Sequence, residues 1–356
     1  MDQEGRPMLG SRRTAWAVAV VAVLAIAAGV ALVVVRLGGD SLDPGFVADG
    51  TSGTAMAHEA EVQLPIGTVR LASGAPLDEI AARRVGRDGD GSVRAAGDAA
   101  IVPVSWSFRP SLSYDDLLGY PAVFSLALVA GGERTELGEQ DVDLHETGES
   151  GVFPEGSLIA VVAGDGDDLG IEVTYEDQTQ TAVMASGKVD PGRAAALYPD
   201  GPVSYGPRER CDARRTPEAR SIDAGAGSIY CRIDPLTRTP YLPELGWAEE
   251  GRVWSTVGVV VTAPEQVRWI PTGGSYRVER QPATVALEGD EAVRTPKAPE
   301  GAATTWQGTW VFDSPAEPAA LLLHVATPMT AVREPGATGG PSAVPFGVDA
   351  TFTFHR

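Results

Sequence analysis

The chain has 356 residues, 48 of them Asp or Glu against 28 Lys or Arg, a formal charge of −20 with 43% hydrophobic residues. An acidity of this size repels phosphate backbones and anionic head groups, so nucleic acid is excluded as a partner and a charged partner is expected to be cationic. Only two residues are Cys, and the two Lys against 26 Arg, with abundant Ala, Gly and Val, fit a GC-rich bacterial coding sequence.

Thr14 to Val35 run for 22 residues without a charge, bounded by Arg12 and Arg13 before and Arg36 after. A helix rising about 1.5 Å per residue covers a hydrocarbon core of roughly 30 Å over such a length, and only a helix satisfies its backbone there. The run is too long for the apolar region of a cleaved signal, and the nearest Ala-x-Ala, Ala55 to Ala57, stands well beyond it. Arg6, Arg12 and Arg13 outweigh Asp2 and Glu4 in residues 1–13, and no Lys or Arg follows Arg36 until Arg70. The bias places 1–13 in the cytoplasm, 14–35 across the bilayer with Trp16 near its inner boundary, and the bulk outside the cell membrane. Once the tail, the span and its flanking Arg36 are set aside, residues 37–356 carry a formal charge of −22, which also suits the solubility of an exported surface.

Residues 36–57, rich in Gly, Asp, Ser and Thr, read as a flexible linker. From position 58 the pattern turns to short apolar or alternating runs between Gly, Pro and Asp: EVQL, GTVRLA, AIVPVSWSF, AVFSLALVA, GSLIAVVA, LGIEVTYE and QTAVMAS. In one of them Val102, Val104, Trp106 and Phe108 share a face, as a half-buried strand requires. Pro76 to Val85 stays open between helix and strand. These runs define a first β-sandwich domain over 58–190.

Within it, Asp165-Gly166-Asp167-Asp168-Leu169-Gly170 with Glu176 imitates a calcium loop, since Asp165, Asp167 and Glu176 stand at places one, three and twelve with Gly170 at six. Leu169 at place five, and the strand-like LGIEVTYE that follows, favour an acidic hairpin turn instead.

Four prolines break the pattern between Asp190 and Pro207, and a second β-sandwich domain is expected over 191–356. Its strands are RVWSTVGVVVTA, QVRWI, SYRVER, ATVALE, TTWQGTWVF, ALLLHVAT and VDATFTF, with the polar segment 288–302 as a loop. Cys211 and Cys231, 20 positions apart in an oxidising compartment, are most simply a disulfide closing an Arg-rich loop; a reactive or metal-binding pair lacks a nearby third ligand. Tyr241, Trp247, Trp254, Trp269 and Tyr276 crowd this half. They either fill its core or, at Trp247 and Trp269, present flat faces that stack on wall sugars.

The two halves share a faint pattern: Gly151-Val152-Phe153-Pro154 precedes Leu158 to Ala163, and Trp310-Val311-Phe312 with Pro315 precedes Leu321 to Ala326. In these two short stretches the chain resembles immunoglobulin-like β-sandwich modules of unknown function in membrane-anchored actinobacterial exported proteins. The resemblance implies two such sandwiches and carries no catalytic residue with it.

His58, His145, His324 and His355 stand apart from one another, and no nucleophile elbow, phosphate-binding loop, dinucleotide fingerprint or zinc-ligand spacing occurs. No cofactor is expected and a catalyst is disfavoured. The sequence points to a membrane-anchored, extracytoplasmic binding or scaffolding module that contacts another envelope protein or a wall component. A glycan-binding or sensor ectodomain is the alternative, and an extracytoplasmic hydrolase the third reading.

Overall fold

The computed structural model describes residues 41–50, 55–111, 119–142, 155–198, 203–206, 209–211, 213–214, 218–223, 230–297, 305–317 and 320–355. The tail 1–13 and the apolar run 14–35 lie outside these residues. Among the described residues no helix is long and apolar enough to cross a membrane. They form a mainly β protein whose only helical pieces are three short 3₁₀ turns.

The first half is built on two antiparallel sheets of five strands. One runs in the order Val47–Asp49, Glu155–Val162, Ala100–Pro110, Gly67–Gly74, Met56–Leu64. The other runs Lys188–Asp190, Gln178–Val183, Gly170–Tyr175, Val123–Ala130, Glu133–Asp141. Val62, Leu64, Val69, Leu71, Val102, Val104 and Phe108 of the first meet Phe124, Leu126, Leu128, Ile171, Val173 and Tyr175 of the second in one core. Each such side chain stabilises the fold by about 2 kcal/mol when taken fully from water.

The first sheet is also covered on part of its other face. Leu42, Ile80, Val85 and Val93 pack against its Ile101, Ile159 and Val161, carried by a three-stranded sheet of Ser41–Leu42, Ser92–Ala95 and Glu79–Ala81. This explains why AIVPV and LIAVV are continuous apolar runs rather than alternating ones: both faces are buried there. The ambiguous segment 76–85 resolves into the strand Glu79–Ala81 and a single 3₁₀ turn, Ala82–Val85, closed by Gly86 at φ 70°.

Two boundaries read from the sequence are corrected. Residues 41–50 are not part of a loose linker: Leu42 is 1% exposed, Val47–Asp49 pairs with Leu158–Ala160, and Gly45 N donates to Val161 O at 2.9 Å. Composition misled because two apolar residues, Leu42 and Phe46, suffice to dock a segment of ten. Likewise the first half does not end at Asp190. The turn Gly192–Leu197 buries Ala194 and Leu197, and Tyr198 hydrogen-bonds to Gln63 and Gln180.

The second half centres on Arg252–Thr262, which pairs along its whole length with Thr305–Pro315. On its other side it pairs with Leu236–Thr239 and then Tyr230–Ile233. Its burial alternates strictly, Val253, Ser255, Val257, Val259 and Val261 facing inward. Opposite lies a sheet built on the long pair Ala320–Arg333 and Ala343–His355, flanked by Gly274–Arg280 and Thr284–Leu287. Val257, Val259, Trp310, Phe312, Leu323, Val325, Phe352 and Phe354 form its core. Cys211 and Cys231 stand directly opposite each other on paired strands, with Cα atoms 4.9 Å apart, and are joined by the disulfide.

Candidate functional site

The outer face of the first five-stranded sheet is divided. Where Ile101, Ile159 and Val161 point outward it is covered; further along, the outward positions become small and polar and the face stays open. The strand registers set two rows across four strands. One row is Glu61, Arg70, Ser107 and Glu155; the next is Glu59, Ala72, Ser105 and Ser157. Ala72, Ser105, Ser107 and Ser157 are small while Glu59, Glu61, Arg70 and Glu155 around them are long, so the sheet surface sinks into a groove of about 730 Å³. That volume lies in the range of small-ligand sites.

Alternation explains the lining. In Ser105-Trp106-Ser107 the serines face out while Trp106, 7% exposed, turns into the core and meets Phe124 edge-on at 5.7 Å. Gly156 lies across from Trp106 in the neighbouring strand. A Cβ at Gly156 would fall 2.4 Å from the indole Nε1, so a glycine is needed to let the ring lie flat against that strand.

Three carboxylates and one guanidinium line the groove. Arg70 Nε pairs with Glu61 Oε1 at 2.9 Å, and Ser157 Oγ donates to Gly50 O at 2.6 Å, tying the segment 41–50 to the groove wall. Glu59, Glu155 and the hydroxyls of Ser105 and Ser107 make no side-chain hydrogen bond or ion pair with another described residue. They are the groups left to a ligand. The arrangement offers hydroxyl donors on a flat floor and acceptors at both rims, and it favours neutral or cationic hydrogen-bonding groups over anions.

The residues singled out from sequence lie elsewhere. Asp165 and Asp167 sit in the turn after Glu155–Val162, where Asp165 Oδ1 accepts from Asp167 N at 3.1 Å and the Asp168 carboxylate accepts from Gly131 N. Glu176 stands at the far end of the strand Gly170–Tyr175, which at about 3.3 Å per residue holds it some 20 Å away. The three carboxylates therefore do not converge, and the calcium reading is corrected. Glu176 and Asp177 instead form a two-residue hairpin turn with φ of 47° and 60°.

Trp247 and Trp269 are not brought together. Trp247 is half-buried against the first core, and its indole donates to Glu176 O at 2.9 Å and Tyr175 O at 3.3 Å. Trp269 packs against the second core, its ring 6.1 Å from Tyr276. Each ring already has a protein partner where a sugar was expected. Around Trp247, Tyr120, Tyr175 and Tyr241 form an aromatic cluster. Burial, helped by nearby Glu176, pushes the Tyr241 phenol up to about 12, and burial raises Tyr175 above the usual phenol range.

His324 Nε2 lies 3.0 Å from Asp349 Oδ1 on the open outer face of the second half, both side chains half-exposed. Among the described residues no group of three or more His, Cys, Asp or Glu could hold a metal ion.

Nothing in the sequence singled out the groove. Its signal, serines at outward positions of strands whose inward positions are apolar, acquires meaning only once registers bring Ser105, Ser107 and Ser157 side by side. These features define a mainly β protein with an open polar groove on one sheet. No protein-family model, no curated protein and no solved structure matches the chain.

Proposed function

We propose that the chain is a single-pass membrane protein, anchored through residues 14–35 with its N-terminus in the cytoplasm, that displays two β-sandwich modules outside the membrane. Its role is non-catalytic: it binds or scaffolds another envelope protein or a wall component. The immunoglobulin-like reading of the modules is supported by the two halves, each of which closes two sheets over its own core. Export is supported by the uninterrupted apolar run and by the Cys211–Cys231 disulfide, which suits an oxidising compartment.

The observation that carries the binding role is the groove over Ser105, Ser107 and Ser157, with Glu59 and Glu155 uncommitted at its rims. Rigid strands hold these groups at fixed spacing, which suits recognition of an extended, hydrogen-bonding segment. The test is native electrophoresis of gently solubilised membranes carrying the full chain or its Ser107→Trp variant, which fills the groove. The wild type is expected in a larger complex from which the variant is missing; identical migration of the two would refute the groove as the binding face.

A further inference from the structure

The short hairpin of Tyr241–Leu242 and Gly246–Trp247 belongs by sequence to the second half, since it lies between two adjacent strands of that half, Leu236–Thr239 and Arg252–Thr262. Its side chains nevertheless belong to the first. Tyr241, 2% exposed, is a member of the first core, and Trp247 packs against that same core. Their rings lie 5.5 Å and 6.4 Å from Tyr175, and Tyr241 lies 6.0 Å from Tyr120. The Trp247 indole closes on the Tyr175–Glu176 carbonyls of the opposite turn.

The hairpin is held as firmly from its own side. Trp254 Nε1, on the central strand of the second half, donates to Gly246 O at 2.8 Å. Glu244 at the hairpin tip is ion-paired with Arg294. Thr239 Oγ1 donates to Tyr241 O at 3.0 Å and Ala248 N to Pro240 O at 2.8 Å. The hairpin thus packs its two rings on one core while it is hydrogen-bonded to the other half. Flexible linkers between modules carry neither feature.

We propose that this hairpin is an interdomain latch: it makes the two halves move as one body, and Trp247 is its bolt. The latch is independent of what the groove binds. Its consequence is that the second half keeps one orientation relative to the first, instead of swinging freely. A buried aromatic cluster, with the one indole N–H of Trp247 shared between two carbonyls, contrasts with the more polar contacts of modules that reorient freely.

The test places spin labels on exposed positions of each half, Glu139 and Thr353, through a ketone-bearing amino acid that spares the disulfide. Distances are measured by pulsed electron resonance on the full chain in nanodiscs. The latch predicts one narrow distribution for the wild type, clear broadening for Trp247→Ala, and no change for Trp269→Ala. A wild-type distribution that is already broad, or an unchanged one in Trp247→Ala, overturns the proposal. Should Trp247→Ala fail to fold, Trp247→Phe keeps most of the packing and removes the indole N–H that the two carbonyls share. It is expected to broaden the distribution, and if it leaves the distribution unchanged the latch is refuted. Hydrogen exchange on the wild type gives a second reading. The Ala248 amide is expected to exchange as slowly as the cores, and exchange at loop rates contradicts a latch.

Discussion

Tyr198 donates its hydroxyl proton to Gln180 Oε1 at 2.6 Å, and Gln180 returns Nε2–H to the Gln63 carbonyl at 2.7 Å. The ring closes because Gln63 N donates to the Tyr198 oxygen at 3.2 Å. Gln63 lies on Met56–Leu64, the terminal strand of its sheet. An unpaired edge invites pairing with another chain, and here two side chains satisfy its backbone. Gln180 is fully buried, so Gln180→Ala strands both the phenol and the carbonyl and is expected to cost about 2–3 kcal/mol, while Tyr198→Phe costs about 1. Urea titration of each variant checks the order.

Alkaline stability follows from the same phenol. Burial pushes Tyr198 up to about 12, as it does Tyr241. In the unfolded chain both release their protons near 10. Between these values the unfolded state binds fewer protons than the folded one, so stability is fully present below about pH 10 and falls as pH rises towards 12. Chemical denaturation at a series of pH values is expected to show this decline, and a shallower one in Tyr198→Phe.

Arg238 is a buried cation, 6% exposed. Its guanidinium donates to the carbonyls of Pro315 and Ala316 and, through Nε, to Ser255 Oγ, fastening the end of Thr305–Pro315 to the strand Leu236–Thr239. Arg238→Met removes the hydrogen bonds that a buried guanidinium makes to two carbonyls and a hydroxyl and is expected to destabilise by about 2–4 kcal/mol. Arg238→Lys does not rescue it, because one ammonium cannot reproduce a planar fork. Thermal melts of the two variants would be indistinguishable from wild type if the fork were idle.

Reduction of Cys211–Cys231 releases a loop spanning 20 positions. In the chain-entropy model that closure contributes about 3 kcal/mol. Titration with a thiol reductant is expected to lower the unfolding midpoint accordingly; an unchanged midpoint would show that the strands Glu209–Cys211 and Tyr230–Ile233 need no staple.

Much of the β architecture was legible because alternation and turn residues are local. Arg252–Thr262 alternates residue by residue, and every run read as a strand holds one. Glu133–Asp141 was missed since it is an exposed charged edge with no apolar period to detect. Residues 41–50 were missed because two docking residues hardly alter the composition of ten. The groove was illegible for a different reason: Glu61, Arg70, Ser107 and Glu155 are neighbours only through three pairing registers, and long-range register has no local signature. Trp247 misled because it packs with Tyr241 on the first core, while Trp269 and Tyr276 of the same aromatic-rich stretch belong to the second.

The binding role of the groove is tested most directly by a photo-crosslinking amino acid placed at Ser105 in the full chain in its native membrane, with exposed Thr353 of the second half as control. A discrete adduct from position 105 that disappears in Ser107→Trp, with none from 353, is the expected result. No adduct from 105, or equal adducts from both positions, would contradict a binding groove.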